Sequence, residues 1–199
     1  MLFNYFLILY IVAFFAIAVG WRTFIVWKRT GKNSYALLNA KGVYGIIGKY
    51  FRAMPLLSVS VVITYVFLEQ WYHYLAPFTW IEEVIMIRYA GVILLLASFL
   101  LIVISQSQMG NSWRIGIDQE GKTDLVINGM FRYSRNPIFF GIIINVAGFF
   151  LVLPNAITLL ILVLNTALIQ IQVALEEKHL RKMHSQSYDN YCSSVRRWV

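Results

Sequence analysis

Long apolar runs, repeated along the chain, constrain the fold of this 199-residue sequence more than any other feature. They cover residues 2–19, 55–68, 84–104, 138–153 and 156–175. A helix of about 20 apolar residues crosses the hydrocarbon core of a bilayer, where backbone polar groups need partners inside the protein. We therefore predict an all-α polytopic membrane protein with about five transmembrane helices. For the fourth run, a helix that dips into the membrane without crossing it remains open.

Composition agrees with this class. Hydrophobic residues make up 59% of the chain, and its mean hydropathy is +0.66, well above an ordinary soluble domain. The net charge is +8, and the basic residues lie between the apolar runs, as they do at a cytoplasmic membrane face. We therefore predict contact with the lipid bilayer and no nucleic-acid partner. The first run lacks a basic leader and a cleavage site, which favours a retained span over a signal peptide.

The distribution of charge predicts the orientation. Residues 22–52 hold seven basic side chains and no acidic one, whereas residues 69–83 hold three glutamates, several aromatics and no Lys or Arg. The positive-inside rule therefore places the N-terminus outside and the C-terminus in the cytoplasm. Arg88, just inside the third run, is expected to reach the interface or to pair with Glu82 or Glu83. The segment DQEGKTD (residues 118–124) predicts a surface hairpin turn.

The stretch LVINGMFRYSRNPIFFG (residues 125–141) combines charge, aromatic rings and an Asn-Pro break at the point where an apolar run begins. This density favours the edge of a binding site, although a basic flank with interfacial aromatics would look similar. The last two apolar runs form a predicted helical hairpin around Pro154-Asn155. The hairpin brings this stretch next to the polar tail that begins at Glu176.

The tail supplies further charged and aromatic groups: Glu176, Glu177, Tyr188, Tyr191, Arg196 and Arg197. Adjacent helical residues point about 100° apart, so one of the two glutamates can face a pocket while the other pairs with Arg or Lys. Together the two segments suit a zwitterionic, partly aromatic ligand. The alternative is a tail helix that is simply braced by salt bridges.

Signatures of soluble enzymes are absent from the sequence, including the serine hydrolase, zinc protease, Walker and Rossmann motifs. Cys192 is the only cysteine, which excludes an intramolecular disulfide and disfavours a Cys-based zinc site. His179 and His184 are five residues apart, a poor spacing for a metal pair on a helix. We therefore predict no metal site.

An ordered set of short motifs in residues 105–199 resembles the isoprenylcysteine carboxyl methyltransferase family, which is related in its C-terminal half to phospholipid methyltransferases. The matching positions are Gly110, Trp113, Leu125, Val126, Gly129, Phe131, Tyr133, Arg135, Asn136, Pro137, Phe139, Gly141, Glu176, Glu177, Tyr188, Tyr191, Val195, Arg197 and Trp198. Three positions depart from the family pattern: Asn136 replaces a His, Phe139 a Tyr and Arg196 a Pro. Asn136 cannot titrate, which places any proton-transfer role there in doubt.

The resemblance implies an S-adenosylmethionine pocket at the cytoplasmic ends of the last hairpin. Its expected cofactor-binding residues are Phe131, Tyr133, Arg135, Asn136, Pro137, Glu176 and Glu177. In this interpretation Arg135 holds the carboxylate of the cofactor, a glutamate meets its ammonium group or ribose, and Tyr133 or Phe131 packs on adenine. Arg197 and Tyr191 are the expected catalytic residues, which would orient the methyl acceptor.

We therefore predict two regions, three N-terminal spans in residues 1–104 and a methyltransferase-like region in residues 105–199. The predicted function is methyl transfer from S-adenosylmethionine to a lipophilic acceptor, either an isoprenylcysteine-like carboxylate, a lipid or a small thiol. A sterol-type membrane reductase that uses NADPH, and a non-catalytic membrane scaffold, remain alternatives. The sequence predicts neither the acceptor nor an oligomeric state.

Overall fold

The computed structural model describes residues 2–31, 42–113 and 124–199. The predicted DQEGKTD turn lies outside these ranges except for its last residue. The described chain is built from helices, and its one β-type pairing is an isolated bridge between Pro77 and Asn155. The all-α prediction is therefore confirmed for the described part of the chain.

The first helical segment is longer than the apolar run that predicted it. Helix α1 (Leu2–Phe14) continues through a π-helical segment (Phe15–Trp21) into helix α2 (Arg22–Thr30). Gly31 ends α2 in the left-handed conformation, with a φ of 67° that suits glycine. Helix α3 (Gly42–Phe67) likewise begins well before the predicted second run.

Short elements connect α3 to the third long helix. Helix α4 (Glu69–Tyr72) and helix α5 (Thr79–Glu82) precede helix α6 (Ile85–Met109). The Arg88 guanidinium on α6 lies 3.6 Å from the Glu82 carboxylate and 5.0 Å from the centroid of the Phe3 ring. Both contacts stabilise a positive charge near the end of an apolar helix. The predicted pairing of Arg88 is confirmed.

The last two long helices form the predicted hairpin. Helix α7 (Pro137–Val152) begins with proline, whose missing N–H costs nothing at the first helical position. Helix α8 (Ala156–Ser194) begins with a capping box, in which the Asn155 side chain accepts from two backbone N–H groups. Helix α8 bends at Ser185, where φ is 44° and ψ is −119°.

Within the described residues, four helices are long and apolar enough to cross a membrane: Leu2–Thr30, Gly45–Phe67, Ile85–Met109 and Ala156–Ser194. Helix α7 is apolar but shorter, with 16 residues and a length of about 24 Å. The chain is therefore an integral membrane protein by helix length and composition.

The closest approach between long helices joins α6 to α7. A Cβ atom built on Gly91 would lie 2.9 Å from the Gly148 carbonyl oxygen, and one on Gly148 would lie 2.9 Å from that of Gly91. Small residues at such a crossing let two backbones approach closely, which is the main source of helix association in lipid. The buried core around this crossing includes Leu95, Val152 and Ile161.

We call the end of the helix bundle that carries residues 110–113, 124–136 and 176–199 the motif end. We call the opposite end, with residues 68–84 and 153–155, the turn end. At the turn end the Phe78 N–H donates to the Pro154 carbonyl over 2.8 Å, so the connection between α3 and α6 is tied to the hairpin. Helix direction alternates along the chain. Helices α3 and α7 run from the motif end to the turn end, and helices α6 and α8 run from the turn end to the motif end.

Candidate functional site

One carboxylate, that of Glu177, joins three of the nine predicted site residues at the motif end. Glu177 lies about 32 Å along α8, roughly the thickness of the hydrocarbon core, so it marks the place where α8 leaves the apolar layer. Its Oε1 accepts from Arg135 Nη2 over 3.0 Å and from Arg197 Nε over 3.1 Å, while its Oε2 accepts from Arg197 Nη2 over 2.6 Å. We call Arg135, Glu177 and Arg197 the bracing cluster.

Arg135 also holds the end of α8. Its Nη1 donates to the carbonyls of Cys192 and Val195 over 3.2 and 2.9 Å, and its backbone N–H donates to the Arg196 carbonyl. These carbonyls lie at or beyond the last turn of α8, where helices leave acceptors without partners. A planar guanidinium can meet several such acceptors at once, which suits this position to arginine.

Arg197 forms a bidentate pair with Glu177 and is more exposed than Arg135. Its side chain is 44% exposed, against 12% for Arg135. Donation to the Glu177 carboxylate raises the pKa of the Arg197 guanidinium, because its charged form gains both hydrogen bonds. The Arg197 carbonyl in turn accepts from Asn136 Nδ2 over 3.2 Å and from Ser134 Oγ over 3.3 Å.

The other predicted residues take different positions. Tyr191 is buried and donates from its hydroxyl to the Phe131 carbonyl over 2.5 Å, which ties α8 to residues 124–136, here called the motif loop. Phe131 is also buried, and Pro137 is buried at the start of α7. Tyr133 is 68% exposed. A surface groove beside this loop is lined by Leu125, Ile127, Asn128, Arg132, Ser187, Asn190, Tyr191, Ser194 and Val195.

A separate cavity of about 580 Å³ lies inside the bundle. It is lined by residues from the first helical segment, α3, α6, α7 and α8, and most of its wall is apolar. On α8 the lining runs from Asn165 to Glu176, a span of about 16 Å along the helix. A cavity of this size accommodates a drug-sized ligand.

Polar groups line the cavity toward the motif end, where Glu176, Gln172, Gln106 and Arg52 all contribute to its wall. The side chains of Gln106 and Gln172 are 7% and 4% exposed, and neither makes a hydrogen bond to another residue that the structure describes. Buried amides normally have partners, because desolvation without a hydrogen bond is costly. These two amides are therefore suited to bind a polar occupant.

The two glutamates divide as the helical geometry requires. Glu177 faces the bracing cluster and Glu176 faces the cavity. The remaining predicted site residues (Phe131, Tyr133, Arg135, Asn136, Pro137, Tyr191 and Arg197) do not line the cavity in the part of the chain that the structure describes. Their direct contact with a cofactor stays a prediction.

Trp113 closes the cavity at the motif end. Its side chain is 4% exposed, and the Arg22 guanidinium lies 5.9 Å from the centroid of its ring. Arg22 also donates to the Gly110 carbonyl over 2.6 Å. Gly110 has a φ of 55°, a conformation that glycine adopts without strain, so the Gly-x-x-Trp segment can turn under α2.

A family model for phospholipid methyltransferases matches residues 86–187, slightly more than half of the chain. The chain belongs to this family. Membership implies a membrane methyltransferase, in agreement with the apolar helices. The matched segment includes Arg135, Glu176 and Glu177 and ends before Tyr191 and Arg197. No curated protein and no solved structure matches the chain.

Sequence reasoning did not identify Arg52 or Gln106 as cavity residues, whereas it expected Gln172 either to join helices or to line a cavity. Arg52 was one of seven basic residues attributed to the positive-inside pattern. One signal was available for the amides. A glutamine within an apolar run is costly in lipid, so it is expected to face another helix or a cavity.

Proposed function

We propose that this family member transfers a methyl group from S-adenosylmethionine to a lipophilic acceptor, with both bound in the 580 Å³ cavity. The observation that carries the proposal is the way polar and apolar side chains are distributed along the wall of the cavity. The charged side chains of Arg52 and Glu176 and the amides of Gln106 and Gln172 lie toward the motif end, and apolar side chains cover most of the remaining wall. This arrangement suits a polar cofactor next to an apolar substrate.

The residues at the motif end fit the groups of that cofactor. Arg52 is placed to hold its carboxylate and Glu176 its ammonium group or ribose hydroxyls. The unpartnered amides of Gln106 and Gln172 supply donors and acceptors for adenine or ribose. When bound, S-adenosylmethionine supplies a methyl group on a positively charged sulfur, a cation that the ring of Trp113 would stabilise.

For the bracing cluster we propose a positioning role. Arg135, Glu177 and Arg197 fix the register between the motif loop and α8, which sets the direction in which Glu176 points. Asn136 contributes through the Arg197 carbonyl, Pro137 starts α7, and Tyr191 holds the backbone at Phe131. Tyr133, with its exposed ring, remains a candidate for packing on adenine from the motif side.

The chain's contribution to the reaction is then alignment and exclusion of water. A methyl transfer is an in-line displacement, and holding the two reactants in line can supply much of the acceleration. The mostly apolar wall limits the water that surrounds the acceptor. A carboxylate or thiolate acceptor needs no general base, and an amine acceptor must be neutral before it reacts.

We further propose that the motif end faces the cytoplasm, with the N-terminus outside and α7 crossing the membrane as a fifth, short span. Arg22 and Arg52 support this orientation, since both are basic and both lie toward the motif end. Helix α7 runs from the motif loop to the turn end, where the Pro154 carbonyl accepts a hydrogen bond from Phe78 in the connection between α3 and α6.

The experiment that tests the function is calorimetric titration of the detergent-purified protein with S-adenosylhomocysteine, with NADPH as the parallel ligand. We expect saturable binding of the former only. Glu176→Gln should weaken it roughly tenfold or more, as expected for one charge-assisted hydrogen bond. Glu83→Gln is the matched control, because Glu83 is exposed and distant from the cavity lining.

Two outcomes would overturn the proposal. Binding of NADPH alone would favour a reductase of similar fold. Binding of neither ligand by protein with a cooperative thermal transition would favour a non-catalytic scaffold.

A further variant, Arg135→Ala, distinguishes the residues of the bracing cluster from the cavity residues that are proposed to bind the cofactor. We expect it to lower the melting temperature together with the affinity, whereas Glu176→Gln should lower the affinity with a smaller change in melting temperature.

A further inference from the structure

The cavity has a second polar region far from its charged end. Tyr10, Ser58, Asn145 and Asn165 line it from four different elements. Along α8, Asn165 lies about 16 Å from Glu176 and about 14 Å from the start of the helix, which places it within the apolar layer. A polar group at this depth needs a partner, since lipid offers none.

Asn145 satisfies part of its hydrogen-bonding capacity inside the bundle. Its Nδ2 donates to the Tyr10 hydroxyl and, over 3.0 Å, to Ser98 Oγ, while Tyr10 donates to the Leu95 carbonyl over 3.1 Å. These bonds join α1, α6 and α7. The Asn145 Oδ1 accepts no hydrogen bond from any residue that the structure describes, although Asn145 lines the cavity.

Asn165 has more capacity to spare. It is 5% exposed, and one N–H of its amide donates to the Ile161 carbonyl over 3.0 Å. The other N–H and the Oδ1 have no partner within the described ranges. An amide with an unused donor and an unused acceptor, facing a cavity at this depth, would bind a group that both donates and accepts.

We propose that the cavity recognises a lipid that carries a hydroxyl group part-way along its apolar body, with Asn165 and the Asn145 oxygen as its partners. This inference rests on the proposed function, in which the lipid is the methyl acceptor. A hydroxyl donates one hydrogen bond and accepts others, which matches the unused atoms of the two amides. A plain hydrocarbon chain would leave both amides unsatisfied, so the pair selects against it.

The test uses stearate and a set of hydroxystearates that differ only in the chain position of one hydroxyl. Binding is measured by displacement of a fluorescent polyene fatty acid from the purified protein. We expect one positional isomer to bind at least roughly fivefold more tightly than stearate, the effect of one hydrogen bond that relieves an unpaired amide. Asn165→Leu should bring that ratio close to one.

Thr166→Val is the matched control. Thr166 is next to Asn165 on α8, its hydroxyl donates to the Leu162 carbonyl within its own helix, and it does not line the cavity. We expect this variant to keep the preference for the hydroxylated isomer. Loss of the preference in both variants would show that a general effect on α8, rather than the Asn165 amide, controls it, which would overturn the inference.

Titration of the same preparations with S-adenosylhomocysteine separates the inference from the function. If S-adenosylhomocysteine binds and all the stearates bind equally, hydroxyl recognition is wrong and the methyltransferase proposal stands. If one hydroxylated isomer is preferred and S-adenosylhomocysteine does not bind, the cavity recognises a hydroxylated lipid but the proposed function is wrong. Asn165→Leu should leave S-adenosylhomocysteine affinity unchanged, because Asn165 lies far from the charged end.

Discussion

At the scale of single residues, Arg135 and Arg197 hold the same carboxylate but differ in what else they hold. Arg135 adds two carbonyls at the end of α8 and is largely buried, whereas the half-exposed Arg197 donates its side-chain hydrogen bonds, among the residues that the structure describes, only to Glu177. The two arginines therefore contribute unequally to stability. The Arg135 side chain connects three parts of the chain, and the Arg197 side chain connects two.

The conservative substitutions Arg135→Lys and Arg197→Lys measure this difference. A lysine at position 135 cannot reach Glu177 and both carbonyls, so we expect a loss of about 2–4 kcal/mol and a clear fall in melting temperature. Lysine at position 197 keeps a single, partly exposed ion pair, so its cost should stay below about 1 kcal/mol. Thermal unfolding followed by near-UV circular dichroism checks both, and equal effects would contradict the proposed division.

Residue identity alone predicted part of the site. The motif spacing identified Arg135, Glu176 and Glu177, and the 100° helical step predicted that the two glutamates would face apart. It did not predict which of them faces the cavity, because that depends on the rotation of α8 about its axis. The bracing by salt bridges, an alternative in the sequence interpretation, is present in the structure. The cluster engages Glu177, and Glu176 is among the residues that line the cavity.

At the scale of elements, the contact between α6 and α7 is set by two glycines. A Cβ on Gly148 would lie 2.9 Å from the Gly91 carbonyl oxygen and 3.0 Å from the Leu95 backbone nitrogen. Backbone atoms cannot move aside as a flexible side chain can. We therefore expect Gly148→Ala to separate the helices and to cost about 1–3 kcal/mol.

Gly20→Ala is the matched control, since the nearest atom to a Cβ there is a carbonyl oxygen at an ordinary 3.5 Å. We expect its melting temperature to stay within the scatter of the unmodified protein, with an effect under about 0.5 kcal/mol. Both variants are measured in the same detergent. A destabilised Gly20→Ala together with an unaffected Gly148→Ala would show that the α6–α7 crossing is not the tight contact.

Helix existence was easier to predict than helix extent. Pro137 and Asn155 marked the starts of α7 and α8, because proline suits a first helical turn and asparagine a cap. Hydropathy placed the ends of three helices too early. The first helical segment continues to Thr30 and α8 to Ser194, since amphipathic extensions beyond the membrane carry no long apolar run.

At the scale of the whole molecule, the cavity could not be predicted from any one segment. Five helical segments line it, and its volume depends on how far apart they pack. The sequence carried only indirect evidence, namely amides within apolar runs such as Asn145 and Gln172. Whether such an amide joins two helices or faces a cavity is decided by tertiary packing. Asn145 does both.

The orientation of the bundle is a prediction at this scale. In a Cys192→Ser background the chain has no cysteine, so a single new thiol reports one side of the membrane. We use Glu83→Cys at the turn end and Ser193→Cys at the motif end, both at exposed positions. A membrane-impermeant maleimide should label Glu83→Cys in intact cells and Ser193→Cys only after permeabilisation, because the basic segments favour the cytoplasm.

The reverse pattern would place the motif end outside and contradict the proposed orientation. It would also conflict with the proposed cofactor, whose polar groups would then have to reach the cavity from the outer face. Labelling of both positions in intact cells would mean that α7 does not cross, because α8 would then start on the cytoplasmic side and cross outward, which places position 193 outside. The labelling pattern therefore tests the orientation and the fifth span together, independently of any ligand.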